Sequence, residues 1–196
     1  MSSNSKEDRI RSYFKEKNLY IDLYQPREHS SHLASIIQML EDDEPPIKVL
    51  MTALADAKCF VHFATFGISH QMLGILKMTS YSVPVRGFVS LGYDRQSISP
   101  ELIDYSKESP NLTIKVVKGN SKNWEELPHQ KLIVIDGLIA FKGSVNLTQT
   151  AWRKSAKHYD NLEVETDIEK VIQLNNDYFS PVWGKLSDFG SEITIN

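Results

Sequence analysis

The stretch HQKLIVIDGLIAFKGSVNLTQTAWRKSAKHYDN, residues 129–161, decides how this chain is read. Asp136-Gly137 stands between two apolar runs, and Asp-Gly in that setting is a strong signal for a two-residue hairpin turn. Such a turn pairs Ile135 with Leu138. Counting back, Lys131 then faces Lys142 and His129 faces Ser144. Side chains alternate along a strand, so these four share one sheet face, and Asn146 falls on the same side. The group holds an imidazole, two ammoniums, a hydroxyl and an amide, with no carboxylate. Two lysines placed opposite each other repel unless an anion lies between them. A phosphate satisfies all of these donors. The competing reading is that Gly143 bends the chain and sends Lys142 to solvent.

Upstream, CFVHFATFGI (59–68) is a continuous apolar run, as in a central strand buried on both faces. SHQMLGILKM (69–78) follows as a helix from a Ser cap. VPVRGFVSL (83–91) reads as a strand, SPELIDYSKES (99–109) as a helix capped by its Ser, and LTIKVVKG (112–119) as a third strand. Downstream, a helix is expected around 147–156, a strand at DNLEVET (160–166), and a closing helix from Ile168 broken at Pro181. The order predicts an α/β fold: a mixed, largely parallel β-sheet flanked by helices on both faces. Residues 1–45 are expected to form an N-terminal helical extension. Its helices are read at 6–17 and 31–40, and the acidic EDDEPP (41–46) separates it from a main domain spanning 46–196.

The chain carries 22 basic and 25 acidic residues, for a net charge of −3. That balance argues against a protein holding duplex DNA by overall charge. A phosphate cleft needs only a few local cations, so phosphate chemistry is not excluded. The single cysteine, Cys59, rules out an internal disulfide and a metal site built on cysteine pairs. The N-terminus is polar and no long apolar run occurs, so a cytoplasmic protein without a membrane span is expected.

His-x-Lys alone occurs by chance in many chains. The longer string is more specific: His129-x-Lys131, four residues, Asp136, then Gly143-Ser144-x-Asn146. In it the chain resembles the phospholipase D superfamily, with Asp160-Asn161 where that family expects a carboxylate–Asn pair. The resemblance implies a phospholipase D-like catalytic domain that breaks phosphodiester bonds through a covalent phosphohistidine, without a metal or other cofactor. It implies His129 as nucleophile or acid/base, and Lys131 and Asn146 on the non-bridging phosphate oxygens. Ser144 would add a hydrogen bond there. Asp160 would accept from the second ring nitrogen of His129, and Asp136 would be mostly structural. Small nucleases of the family often carry Glu where this chain has Asp160; Asp occurs in phospholipase-type members.

His-x-Lys occurs once, so a two-His mechanism implies a homodimer with a composite site. Nucleic acid is the expected substrate, with no membrane partner. By family analogy, a restriction or defence enzyme or a larger machine such as a helicase assembly is a setting for it. Lipid phosphodiester cleavage and a non-catalytic nucleic-acid-binding module are the alternatives. Lys142, Arg153 and Lys154 are the candidate substrate-binding cations, the last two in the basic cluster WRKSAK. His62 and His158 are weighed as cleft residues, His62 chiefly as a hydrogen-bonded core residue. Trp124 is a candidate stacking residue, and Arg86 and Arg95 are candidates for the cleft rim.

Overall fold

The computed structural model describes residues 26–92, 97–109, 111–119, 127–157, 160–187 and 190–195. The helix read at 6–17 lies outside these, as do Arg95, Trp124 and His158. Two helices come first, α1 (Pro26–Glu41) and α2 (Pro46–Ala55). Pro46 sits in the first turn of α2, where its missing N–H costs no hydrogen bond. Leu33 and Ile36 of α1 are buried in the same core as Val49, Leu50, Ala53 and Leu54 of α2.

The alternating part follows: β1 (Val61–Thr65), α3 (His70–Ser80), β2 (Val85–Leu91), α4 (Ser99–Glu108) and β3 (Leu112–Gly119). Every residue of β1 is buried, as its uninterrupted apolar run requires. Ser69 caps α3, its hydroxyl accepting from Met72 N–H. Ser99 does not cap α4; its hydroxyl donates to Glu192, 2.6 Å away on the terminal strand. Then come β4 (Leu132–Ile135), β5 (Ile139–Gly143), α5 (Gln149–Ser155), β6 (Leu162–Glu165), α6 (Ile168–Leu174), α7 (Ser180–Ser187) and β7 (Glu192–Ile195).

Among the described residues the strands form one seven-stranded sheet in the order β6-β5-β4-β1-β2-β3-β7. The pairings β1–β2, β2–β3 and β3–β7 are parallel. Those of β1–β4, β4–β5 and β5–β6 are antiparallel. The sheet is therefore mixed, with β1 as the seam. β7 has no counterpart in the sequence reading; its short EITI run gains its place through Lys118, which pairs with Glu192 at 2.7 Å, and through Ser99.

Pro181 does not break the closing helix. Between α6 and α7 the chain makes one π turn, Asn175–Phe179, in which Ser180 N–H reaches back five residues to Asn175 C=O. The wider turn makes room for the pyrrolidine ring, which a regular helix would press against the carbonyl four residues back. The turn is anchored to β1: His62 Nδ1 lies 2.9 Å from Asn175 Oδ1, and its ring stacks on Phe179 at 4.4 Å. Burial pushes the His62 pKa down to about 4, overcoming the opposing effect of the Asn175 bond. His62 is thus a neutral core histidine.

Candidate active site

The hairpin departs from the two-residue turn by one position. Asp136 and Gly137 both take left-handed backbone (φ +57° and +67°), and Leu138 N–H donates to Ile135 C=O at 3.0 Å. Leu138 is then an extra loop residue, and pairing resumes as Ile135 with Ile139. The shift puts Lys142 opposite Leu132, so it does not face Lys131. On its other side Lys142 pairs with Glu163 of β6, Nζ to Oε2 at 3.1 Å. The two lysines are therefore not forced together, and a carboxylate already neutralises Lys142. That pair holds the Glu163 carboxyl below its usual range.

Asp136 is fully buried, and its carboxylate accepts three backbone N–H bonds from the approach to β1: Lys58 at 2.9 Å, Cys59 at 2.8 Å and Phe60 at 3.0 Å. Its own N–H donates to Phe60 C=O. The residue locks the hairpin turn onto β1 and faces no cleft.

The other end of the hairpin brings in His129 and Lys131. Ser90 Oγ donates to Pro128 C=O at 2.6 Å, tying the segment before β4 to β2. His129 then packs its ring on Phe66 (centroids 4.7 Å). Lys131 Nζ lies 5.8 Å from the centroid of the same ring, within cation–π range. It donates to the His129 carbonyl at 3.0 Å and lies 3.1 Å from Nδ1 and 3.3 Å from Nε2. Partial burial and, second, the Lys131 charge lower the His129 pKa; burial also lowers that of Lys131. His129 is therefore a neutral imidazole near pH 7, with a lone pair to offer.

Asn146 reaches this place by a different route. Ile68 and Leu147 form a parallel bridge, Ser69 N–H donates to Leu147 C=O, and Thr65 Oγ1 accepts from Leu147 N–H at 3.0 Å. The loop after β1 is thus stitched to the loop after β5. Phe66 N–H donates to Asn146 Oδ1 at 3.2 Å, which orients the amide. Phe66 is the residue that sequence reasoning missed. It seats His129 and Lys131 with its ring and holds Asn146 with its backbone, yet in the sequence it is one more apolar residue in a run.

Ser144 acts locally. Its hydroxyl exchanges bonds with the Asn161 backbone (3.1 and 3.3 Å), and its own N–H donates to Asn161 C=O at 2.9 Å. Gly143 makes this contact possible: at φ +152° a Cβ there would meet Asn161 O at 2.1 Å. The clamp holds Asp160 beside the end of β5, half-buried. Among the described residues no hydrogen bond or ion pair joins Asp160 to His129, in contrast to the expected partnership. Arg153 and Lys154 lie exposed in the last turn of α5, away from the lining of the His129 pocket.

That pocket is a cleft of about 410 Å³ lined by His129, Gln130, Lys131, Leu132, Lys142, Gly143, Leu174 and Tyr178. Among the described residues no group of three His, Cys, Asp or Glu side chains is placed to hold a metal ion, and no helix is long and apolar enough to cross a membrane.

No protein-family model matches the sequence, and a search of curated proteins finds no match. Solved structures do match. Nuc from Salmonella typhimurium, described as a phospholipase D family member, superposes with a TM-score of 0.52 at 17% identity, covering 69% of this chain and 85% of its own. The fold is phospholipase D-like: a mixed, seven-stranded α/β sheet. NucT from Helicobacter pylori matches with a TM-score of 0.47 at 19% identity, over 77% of this chain and 91% of that one. TrmBL2, an archaeal chromatin protein with a novel mode of DNA binding, matches at 0.49 and 18% identity, over 72% of this chain and 48% of its own. In this phospholipase D fold His129, Lys131 and Asn146 gather around Phe66, and Asp136 and Ser144 carry the frame.

Proposed function

We propose that this protein is a metal-independent phosphodiesterase that hydrolyses nucleic acid through a covalent phosphohistidine. The observation that carries the reading is the His129–Lys131 pair at the cleft: an imidazole with the Lys131 Nζ 3.1 Å from its Nδ1, both seated on Phe66. A nucleophile on phosphorus must be unprotonated, and the charge growing on the phosphate oxygens needs fixed donors. His129 supplies the first. Lys131 Nζ and the Asn146 amide supply the second.

In the first step a His129 nitrogen attacks phosphorus and the P–O bond to the leaving strand breaks. A second histidine protonates the departing oxygen and later takes a proton from the water that hydrolyses the P–N bond. This chain has one His-x-Lys, so a second copy supplies that histidine across a twofold axis.

The reading is tested by incubating plasmid DNA and RNA with the protein in excess EDTA, wild type beside His129→Ala. Cleavage that survives chelation and disappears in the variant is expected. Cleavage that requires a divalent cation overturns the mechanism. Hydrolysis of phosphatidylcholine with both nucleic acids intact reassigns the site to lipid phosphodiesters. Light scattering that finds an active enzyme strictly monomeric removes the composite site.

A further inference from the structure

The cleft at His129 has two chemical characters. His129, Lys131 and Lys142 make a polar part; Leu132, Leu174 and Tyr178 make an apolar one. Tyr178 is 50% exposed, while the next residue, Phe179, is buried. Phosphoryl transfer as set out above gives Tyr178 no task.

Its position is nonetheless firmly held. It stands on the π turn, whose inner side is fixed to the sheet. Phe179 stacks on His62 (4.4 Å), on Phe88 (5.9 Å) and on Trp183 (5.5 Å), with interplanar angles of 14–16°. Asn175 meets His62 at 2.9 Å and donates to Ser180 Oγ at 3.1 Å. A π turn adds one residue to a helix and recurs at functional sites. Here it presents one aromatic to the cleft and the next to the core.

A rigid, half-exposed aromatic in the same cleft as a phosphate-binding histidine and lysine matches the two parts of a nucleotide. His129 and Lys131 take the phosphate and the ring takes a base. We infer that Tyr178 is a stacking platform for the base next to the scissile phosphate, so that the substrate is single-stranded or locally opened nucleic acid. Every base has a π face, so such a platform binds without reading sequence. The inference rests on the phosphodiesterase reading and adds its substrate class.

The test measures binding of the full chain to two labelled single-stranded DNA oligonucleotides of equal length, one normal and one abasic throughout. His129→Ala serves as background so that nothing is cut. Tyr178→Ala weakens the normal oligonucleotide about tenfold, the scale of one lost base stack, and leaves the abasic one unchanged. Tyr178→Phe keeps the wild-type preference for bases. Equal loss on both oligonucleotides, or on neither, overturns the platform. So does a Tyr178→Ala protein whose dimer dissociates, because Tyr178 would then be a subunit contact. The two readings fail separately. If the otherwise wild-type enzyme neither cuts nor binds nucleic acid, the phosphodiesterase reading fails and takes the platform with it. If it cuts in EDTA and Tyr178→Ala cuts single strands with unchanged kcat/KM, the platform alone fails.

Discussion

Replacing Asp136 by asparagine and by alanine separates a structural carboxylate from a catalytic one. Its two oxygens divide the work. Oδ1 accepts from the buried Cys59 and Phe60 amides, and Oδ2 from the part-buried Lys58 amide. Asparagine keeps the Oδ1 bonds and turns its NH2 toward Lys58 N–H, a donor against a donor. Lys58 is exposed, so water relieves part of that conflict. Losing one charge-assisted bond then costs about 2–3 kcal/mol. Asparagine also tolerates the left-handed backbone at this position, so the turn adds no further cost. Alanine orphans both buried donors, at about 1–3 kcal/mol each, and adds about 1 kcal/mol for left-handed backbone. The expected losses are about 2–3 kcal/mol for Asp136→Asn and about 3–7 kcal/mol for Asp136→Ala, by urea unfolding near pH 7. Against an ordinary total of about 5–15 kcal/mol, the asparagine protein stays folded. Its turnover per folded molecule should match wild type. An asparagine variant as stable as wild type but without turnover would refute this, because the carboxylate would then belong to the chemistry. Equal destabilisation by the two substitutions would show that the buried amides do not depend on Oδ1.

Gly143→Ala should cost about 2–4 kcal/mol from strained backbone and the Asn161 collision, whereas Ser144→Ala, which keeps the Ser144 N–H bond, should cost about 1 kcal/mol; urea titrations that rank them the other way sink the account of the clamp. His62 has a folded pKa of about 4, below its unfolded value. Only the unfolded chain gains this proton between pH 6.5 and about 4. Stability is therefore full above 6.5 and falls by about 3 kcal/mol across that window, a slope that His62→Phe should flatten. His129, followed by NMR, should titrate below the usual histidine midpoint. Lys131→Met should raise that midpoint part of the way back, since burial remains when the charge goes; an unmoved midpoint would show that Lys131 does not act on the ring.

The sequence carried a large share of this. Apolar runs and Ser or Pro starts placed β1 through β3 and the helices between them, because a buried central strand and a capped helix leave direct local marks. That His129, Lys131 and Asn146 come together, as they do around Phe66, was legible because their spacing is specific and the chain offers one copy. The hairpin register was not. Asp-Gly marks a turn without saying whether one more residue follows it, and Leu138 is apolar enough to read as strand. That single position moved Lys142 from a neighbour of Lys131 to a partner of Glu163. Phe66 was illegible because its task is spatial: a ring under two side chains that lie more than sixty residues further on. The helix through Pro181 was misread because a π turn has no compositional sign, and proline normally ends what precedes it.

The π turn also sets how this protein tolerates changes in length. Deleting one residue between Asn175 and Asp177 would let the backbone recover regular i→i−4 bonding. The π turn already absorbs its extra residue, so the helix beyond the deletion would keep the same face toward the sheet, with Phe179 still over His62 and Phe88. What the deletion would remove is the room for Pro181: in a regular helix its ring presses on the carbonyl four residues back. Conservative point substitutions in this segment disturb one contact each, but a single-codon deletion sets the whole closing helix against its proline. When relatives of this chain are aligned, a gap in this interval should therefore go together with loss of the proline that follows it.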